Sequence, residues 1–282
     1  MASLPFVKAH GAGNDFLIVE RAALESAGVA SSRFAALAEQ ICSRRFGVGA
    51  DGLEIVGPPR APGASAGTHL WNSDGSEAEI SGNGTRCVAA YLVGRKPMPR
   101  SFAIETGAGV RTVESVRLCF PNYEFRMTGD ADACRVVEES LLLEADGVDY
   151  CVTTVDVGNP QCVCRVGTFA FDWKAAGAAL ERHPHFPHGS NVSFVRLSTG
   201  ADGHPGLEVR FWERGAGATL SSGTGSLGAA VAAHHHRWAG SRVTVSTLGG
   251  ALTVDWDDGI GLTGPARIVA KGTYHLDPPP AG

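Results

Sequence analysis

Nothing in the 282-residue sequence resembles a membrane span or an export signal. No run of about 18 apolar residues occurs, and the opening MASLPFVKAH lacks a charged segment followed by an apolar one. A cytoplasmic location is therefore expected. Basic residues are not in surplus either. A formal net charge of −5, with acids and bases interspersed, leaves no footprint for nucleic acid and no polybasic patch for a membrane. The seven cysteines are scattered and include no CxxC pair, which argues against a zinc ribbon or a disulfide framework and suggests reduced thiols. Cys162 and Cys164 lie two apart, so they share one strand face and are expected to point inward. The Gly-Lys-Ser/Thr ending of a Walker loop is absent, as is a GxGxxG run after a strand with an acid downstream. The run His234 to His236 has no second ligand cluster in the sequence, so no metal and no cofactor are expected, and a small molecule is the expected partner.

What the sequence does contain is a large apolar fraction, 44%, enough for a sizeable core and, at this length, for two domains. Thirty-seven glycines punctuate short β-branched runs such as Phe16 to Val19, Leu53 to Val56, Val152 to Val155 and Val192 to Val195. Helices are the minority: alanine-rich stretches at Thr85 to Val93 and Ser226 to Ala233, and an apolar-periodic stretch from about Ser32 to Arg44. The expected class is α+β.

Self-similarity organises these elements. Ser81-Gly82-Asn83-Gly84-Thr85 is matched by Ser222-Gly223-Thr224-Gly225-Ser226 at an offset of 141, and Trp71-Asn72 by Trp212-Glu213 at the same offset. Phe46 and Gly49 recur as Phe186 and Gly189 at 140, which sets Asp51 opposite Asn191, and Gly13-Asn14 recurs as Gly158-Asn159 at 145. The expected architecture is two pseudo-symmetric β-rich halves, each a barrel-like sheet around a central helix, facing each other across a cleft. Residues 1–124 form the first and 125–266 the second, with a connection near Pro121 to Gly129 and a disordered tail at 277–282 around Pro278 to Pro280.

A glycine loop entering a helix presents unpaired N–H groups at the positive end of the helix dipole, so each loop is a candidate anion site, and the pair suits one carboxylate. One loop alone reads more readily as a helix cap; its repetition points to a shared function. Asn14, Asn72, Asn159 and Asn191 are neutral amides able to hold carboxylate and ammonium groups, while Glu213 and Arg214 add one charge of each sign.

The motifs HGAGNDF (10–16), RRFGVGADG (44–52), WNSDGSEAEISGNGTRC (71–87), GNPQCV (158–163), GSNVSFV (189–195) and ERGAGATLSSGTGS (213–226) resemble, in order, those of the diaminopimelate epimerase family over essentially the whole chain. The resemblance implies a last strand within Arg267 to His275 that returns to the first half, a tendency to form homodimers, and a chemistry without pyridoxal phosphate. In that chemistry one thiolate removes the α-proton and a thiol on the other face returns one. The binding set it implies is Asn14, Asn72, Gly82, Asn83, Asn159, Asn191, Glu213, Arg214, Gly223 and Thr224. Arg214 with Asn72, Asn159 and Asn191 would grip the distal carboxylate.

The acid/base positions differ from the family pattern. Ser81 and Ser222 stand where it has cysteine, and Gln161 stands where it has histidine. An alcohol is ~7 pKa units less acidic than a thiol, on the order of 10 kcal/mol, so a serine needs a neighbouring base, and glutamine cannot accept the proton. The residues admit three outcomes: an isomerase interconverting LL- and meso-diaminopimelate through an unusual relay involving Glu213 or water, an enzyme for another amino acid, or a family member that binds such a ligand without turnover. Ser81, Ser222, Glu213 and Gln161 are the candidate catalytic set. Cys87, six residues beyond Ser81, reads as core packing.

Overall fold

The structure, a computed structural model, describes residues 2–129, 131–199, 203, 205–257 and 259–276. The tail assigned to 277–282 lies outside the described residues. The chain is α+β and divides into two compact units, 1–127 with 265–282, and 128–264. No helix among the described residues is long and apolar enough to cross a membrane.

In the first unit the parallel strands Asn14–Glu20 and Gly52–Gly57 are buried on both faces. Leu17, Val19, Leu53 and Ile55 point to one side, where they share a cluster with Leu24, Phe34, Leu37 and Ile41 from the helices Arg21–Ser26 and Phe34–Cys42. Phe16, Ile18 and Val56 point to the other side, toward the helix Gly82–Val93, whose residues 83–92 are all buried. An enclosed helix is mostly apolar or small, as CVAAYLV is, and the polar residues of its first turns, Asn83, Thr85 and Arg86, are held by hydrogen bonds. Ser81 starts it from an extended conformation, its Oγ accepting the Gly84 N–H at 3.1 Å.

The second unit repeats this plan. Pro160–Arg165 runs parallel to Asn191–Thr199; Cys162, Cys164, Val192 and Phe194 pack with Ala176 and Leu180 of the helix Trp173–Glu181, so both cysteines are core residues. On the opposite face of the strands lies the helix Gly223–His235, led by Ser222, whose Oγ accepts the Gly225 N–H at 3.1 Å. A β-carbon added at Gly225 would come within 2.7 Å of the Phe211 ring and 3.0 Å of Ser222 Cβ. Gly225→Ala is therefore expected to cost about 1–3 kcal/mol, read as a lower urea midpoint of unfolding.

One detail departs from the sequence reading: Phe46 and Phe186 match in the repeat, yet Phe46 is 92% exposed while Phe186 packs on the core. The boundary between the units, at 127/128, falls within the stretch 121–129; that stretch contains the strand Asn122–Gly129, in which Tyr123, Phe125 and Met127 alternate into the core. The final strand, Ile260–His275, pairs with Gly250–Asp255 at its start and, from Arg267 to His275, with Ser3–Gly11.

Candidate active-site loops

Each glycine loop is built in the same way. The leading serine caps the helix, and the hydroxyl four residues on donates back to the serine carbonyl: Thr85 Oγ1 to Ser81 O at 2.8 Å, and Ser226 Oγ to Ser222 O at 2.6 Å. That leaves the first N–H groups of each helix, at Gly82 and Asn83 and at Gly223 and Thr224, at the positive end of the dipole.

In the first unit a polar chain runs outward from the loop. Arg86, wholly buried, donates to Asn83 Oδ1 and, through Nε, to the Pro265 carbonyl. Asn83 Nδ2 donates to Asn14 Oδ1 at 3.2 Å, and Asn14 Nδ2 to Asp51 Oδ2 at 2.8 Å. Arg44 closes the chain by bridging Asp51 and Asp15. Burial alone would raise the Asp15 pKa, but Arg44 and Lys8 outweigh it and hold the carboxyl below its usual range. Two predicted site residues, Asn14 and Asn83, are thus in direct contact. Asn72 is not bonded to the loop; its side-chain amide donates to Ser76 Oγ within its own turn.

In the second unit Glu213 lies against the loop. Ser222 Oγ donates to Glu213 Oε2 at 3.1 Å, and Thr219 Oγ1 donates to Glu213 Oε1 at 2.6 Å. Ser222 is 3% exposed, so this contact is largely shielded from water. Asn191 Oδ1 accepts the Arg214 backbone N–H, and the exposed Arg214 guanidinium uses one donor on the His188 carbonyl. Gln161 Nε2 donates to Asn159 Oδ1 at 2.6 Å, while its stem lies where a Gly228 β-carbon would be, well inside the helix. Gln161 Oε1, Ser193 Oγ and Ser221 Oγ are buried without a hydrogen-bond partner among the described residues.

The cysteines supply no substitute thiol at either tip. Burial pushes the Cys87 and Cys162 thiols far up, and that of Cys42 up to about 12. Among the described residues, the one group able to offer three metal-ligand atoms is Glu139, His235 and His236, a partner for the histidine run that the sequence did not reveal. His235 already pairs with Glu139 at 2.7 Å, and His236 Nε2 lies 2.8 Å from Thr153 Oγ1.

Comparison with known proteins identifies the family. A profile described as diaminopimelate epimerase matches residues 6–131 and 153–269. A diaminopimelate epimerase of Pelotomaculum thermopropionicum is 39% identical over 95% of this chain and 98% of its own length. The chain belongs to the diaminopimelate epimerase family. A second diaminopimelate epimerase, from Carboxydothermus hydrogenoformans, is 36% identical over 97% of this chain and 100% of its own. The family frame is also visible at the level of fold. A hydroxyproline epimerase from Agrobacterium vitis superposes with a TM-score of 0.71 at 16% identity, covering 99% of this chain and 94% of that one. A PhzF-family phenazine biosynthesis protein of Bacillus anthracis gives 0.71 at 15%, covering 98% and 100%.

Sequence reasoning missed one acid near these loops. Glu54, in the strand Gly52–Gly57, is 1% exposed and faces the first central helix. The signal was an acid inside the otherwise apolar run GLEIVG.

Proposed function

We propose that this diaminopimelate epimerase family member is a cytoplasmic isomerase that inverts an amino-acid α-carbon without a cofactor, interconverting LL- and meso-diaminopimelate. The observation that carries the reading is the Ser222–Glu213 hydrogen bond at the tip of a helix. It gives an alcohol the neighbouring base that it needs. The α-proton passes to Ser222 Oγ while the serine's own proton passes to Glu213 Oε2. The C–H electron pair stays on the α-carbon and spreads into the substrate carboxylate, which the loop N–H groups stabilise. Ser81 returns a proton to the opposite face of the carbon. Arg214, with Asn72, Asn159 and Asn191, takes the distal carboxylate, and Asn14 and Asn83 hold the amino-acid end. The names of the full-length relatives support the substrate assignment.

The test is incubation with LL-diaminopimelate in heavy water. Deuterium should appear at the α-carbon together with the meso isomer. Binding seen by calorimetry with no deuterium above a buffer control would overturn the reading.

A further inference from the structure

Glu54 occupies a position where a carboxyl is costly. It is buried in the first unit, its Oε2 accepts from Thr68 Oγ1 at 2.6 Å, and no cation pairs with it among the described residues. An apolar side chain would pack there at no desolvation cost, so an acid at this position calls for another explanation. Burial pushes its pKa up to about 7, against the opposing effect of the Thr68 hydrogen bond. The carboxyl reaches the first turn of the central helix. A β-carbon built on Gly84 would fall 2.2 Å from Glu54 Oε1 and 3.2 Å from Ser81 Cβ, so those two atoms are no farther apart than the sum of these distances. Ser81 Oγ accepts from Gly84 N–H and donates to no group among the described residues, which leaves its proton available.

Strand register identifies the equivalent position in the second unit. Glu54 lies beside Ile18 and opposite Leu70; Ser193 lies beside Val163 and opposite Phe211. Ile18 and Val163 are related by the offset of the Gly-Asn motif, and Leu70 and Phe211 by that of the serine loops. Thus where the first unit has Glu54 and Asn72, the second has Ser193 and Glu213. Each unit places one carboxylate near its loop serine, but on a different strand.

On the isomerase reading above, we infer that Glu54 is the proton partner of Ser81, a positioning residue that does for the first loop what Glu213 does for the second. As Ser81 gives its hydroxyl proton to the substrate carbanion, the Glu54 carboxylic acid passes its proton to Ser81 Oγ; in the reverse direction both protons move back. The contact is completed by rotation of the Ser81 hydroxyl or by one bridging water.

The experiment compares wild type, Glu54→Gln, Ser81→Ala and the double variant. Glutamine keeps the shape and the Thr68 contact, and it removes a buried ionisable group, so the variant should fold. In Glu54→Gln, kcat for deuterium incorporation should fall on the order of 10²-fold with KM within about twofold, and the limb of the pH profile near 7 should vanish. The double variant should be no slower than Ser81→Ala alone. Two readouts need no turnover. Because the folded Glu54 holds its proton more tightly than the unfolded one, its favourable contribution to stability is complete below about pH 4.5 and is lost as the pH rises through about 7. The urea midpoint should follow that course in wild type and not in Glu54→Gln. In a ¹³C titration of the Glu54 carboxyl, Ser81→Ala should displace the midpoint. If wild type exchanges deuterium and Glu54→Gln matches it, the Glu54 inference is overturned and the isomerase reading stands. If wild type shows no exchange, the isomerase reading fails, and a Glu54 midpoint unmoved by Ser81→Ala overturns this inference as well.

Discussion

Replacing Glu213 by glutamine is expected to slow α-deuterium incorporation by roughly 10²- to 10⁴-fold, the usual weight of a general acid–base group, with little change in KM. Glutamine reproduces the outline of the side chain and can still accept one of the two hydroxyl hydrogen bonds that Glu213 now takes from Ser222 and Thr219. What it cannot do is carry away the Ser222 proton. The loop N–H groups remain, so carboxylate binding should persist and the loss should fall on kcat. Exchange within about threefold of wild type in a folded Glu213→Gln protein would remove Glu213 from the proton path.

The opposite effect is expected from the triple change Ser81→Cys, Ser222→Cys and Gln161→His. A thiol titrates near 8.5 and water near 15.7, so forming the base becomes easier by on the order of 10 kcal/mol, of which only part is recovered because a thiolate is also the weaker base. A gain of about 10²-fold or more in exchange at mildly alkaline pH is expected. Position 222 is suited to the larger sulfur, because the neighbouring residue 225 is glycine and its N–H already points at the side-chain atom. The two predictions also interact. A thiolate does not depend on a carboxylate to remove its proton, so Glu213→Gln should cost far less in the triple variant than in the serine protein. An unchanged rate in a folded triple variant would mean that the loop tips are not where proton transfer occurs.

Much of the frame could be read from the chain because duplication writes itself twice. The 141-residue offset found both central helices and both loop serines, and the alanine-rich stretches extended as expected, with the serine caps adding one turn at each N-terminus. The Ser222–Glu213 contact was partly legible: a nine-residue separation bridged by the short strand Gly217–Thr219 folds the chain back on itself. Glu54 was not. In GLEIVG both strand faces are buried, so apart from the acid itself the run is apolar throughout and gives no sign of which residues face the central helix. Its relation to Ser193 was hidden as well, because the offset there is 139, against 140 for Phe46 and Phe186 before it and 141 for Trp71 and Trp212 after it, and only the strand ladder reveals it. Gln161 was placed among the acid/base residues by motif position, whereas its side chain is directed to Asn159 and the flank of the helix.

The enclosed central helices also bear on how such a protein can change its chemistry. From Asn83 to Leu92 every side chain is surrounded, so substitution along the shaft is paid in packing and gives no access to a ligand. Freedom to innovate is confined to a few places per unit: the cap residue, the position of Asn72 or Glu213 at the end of a longer strand, and the inner-facing strand position beneath the first turn. Glu54 and Glu213 occupy two different members of that short set. A lineage can thus relocate an acid from one strand to another while the scaffold that holds the carboxylate stays intact, and reactivity can drift faster than recognition.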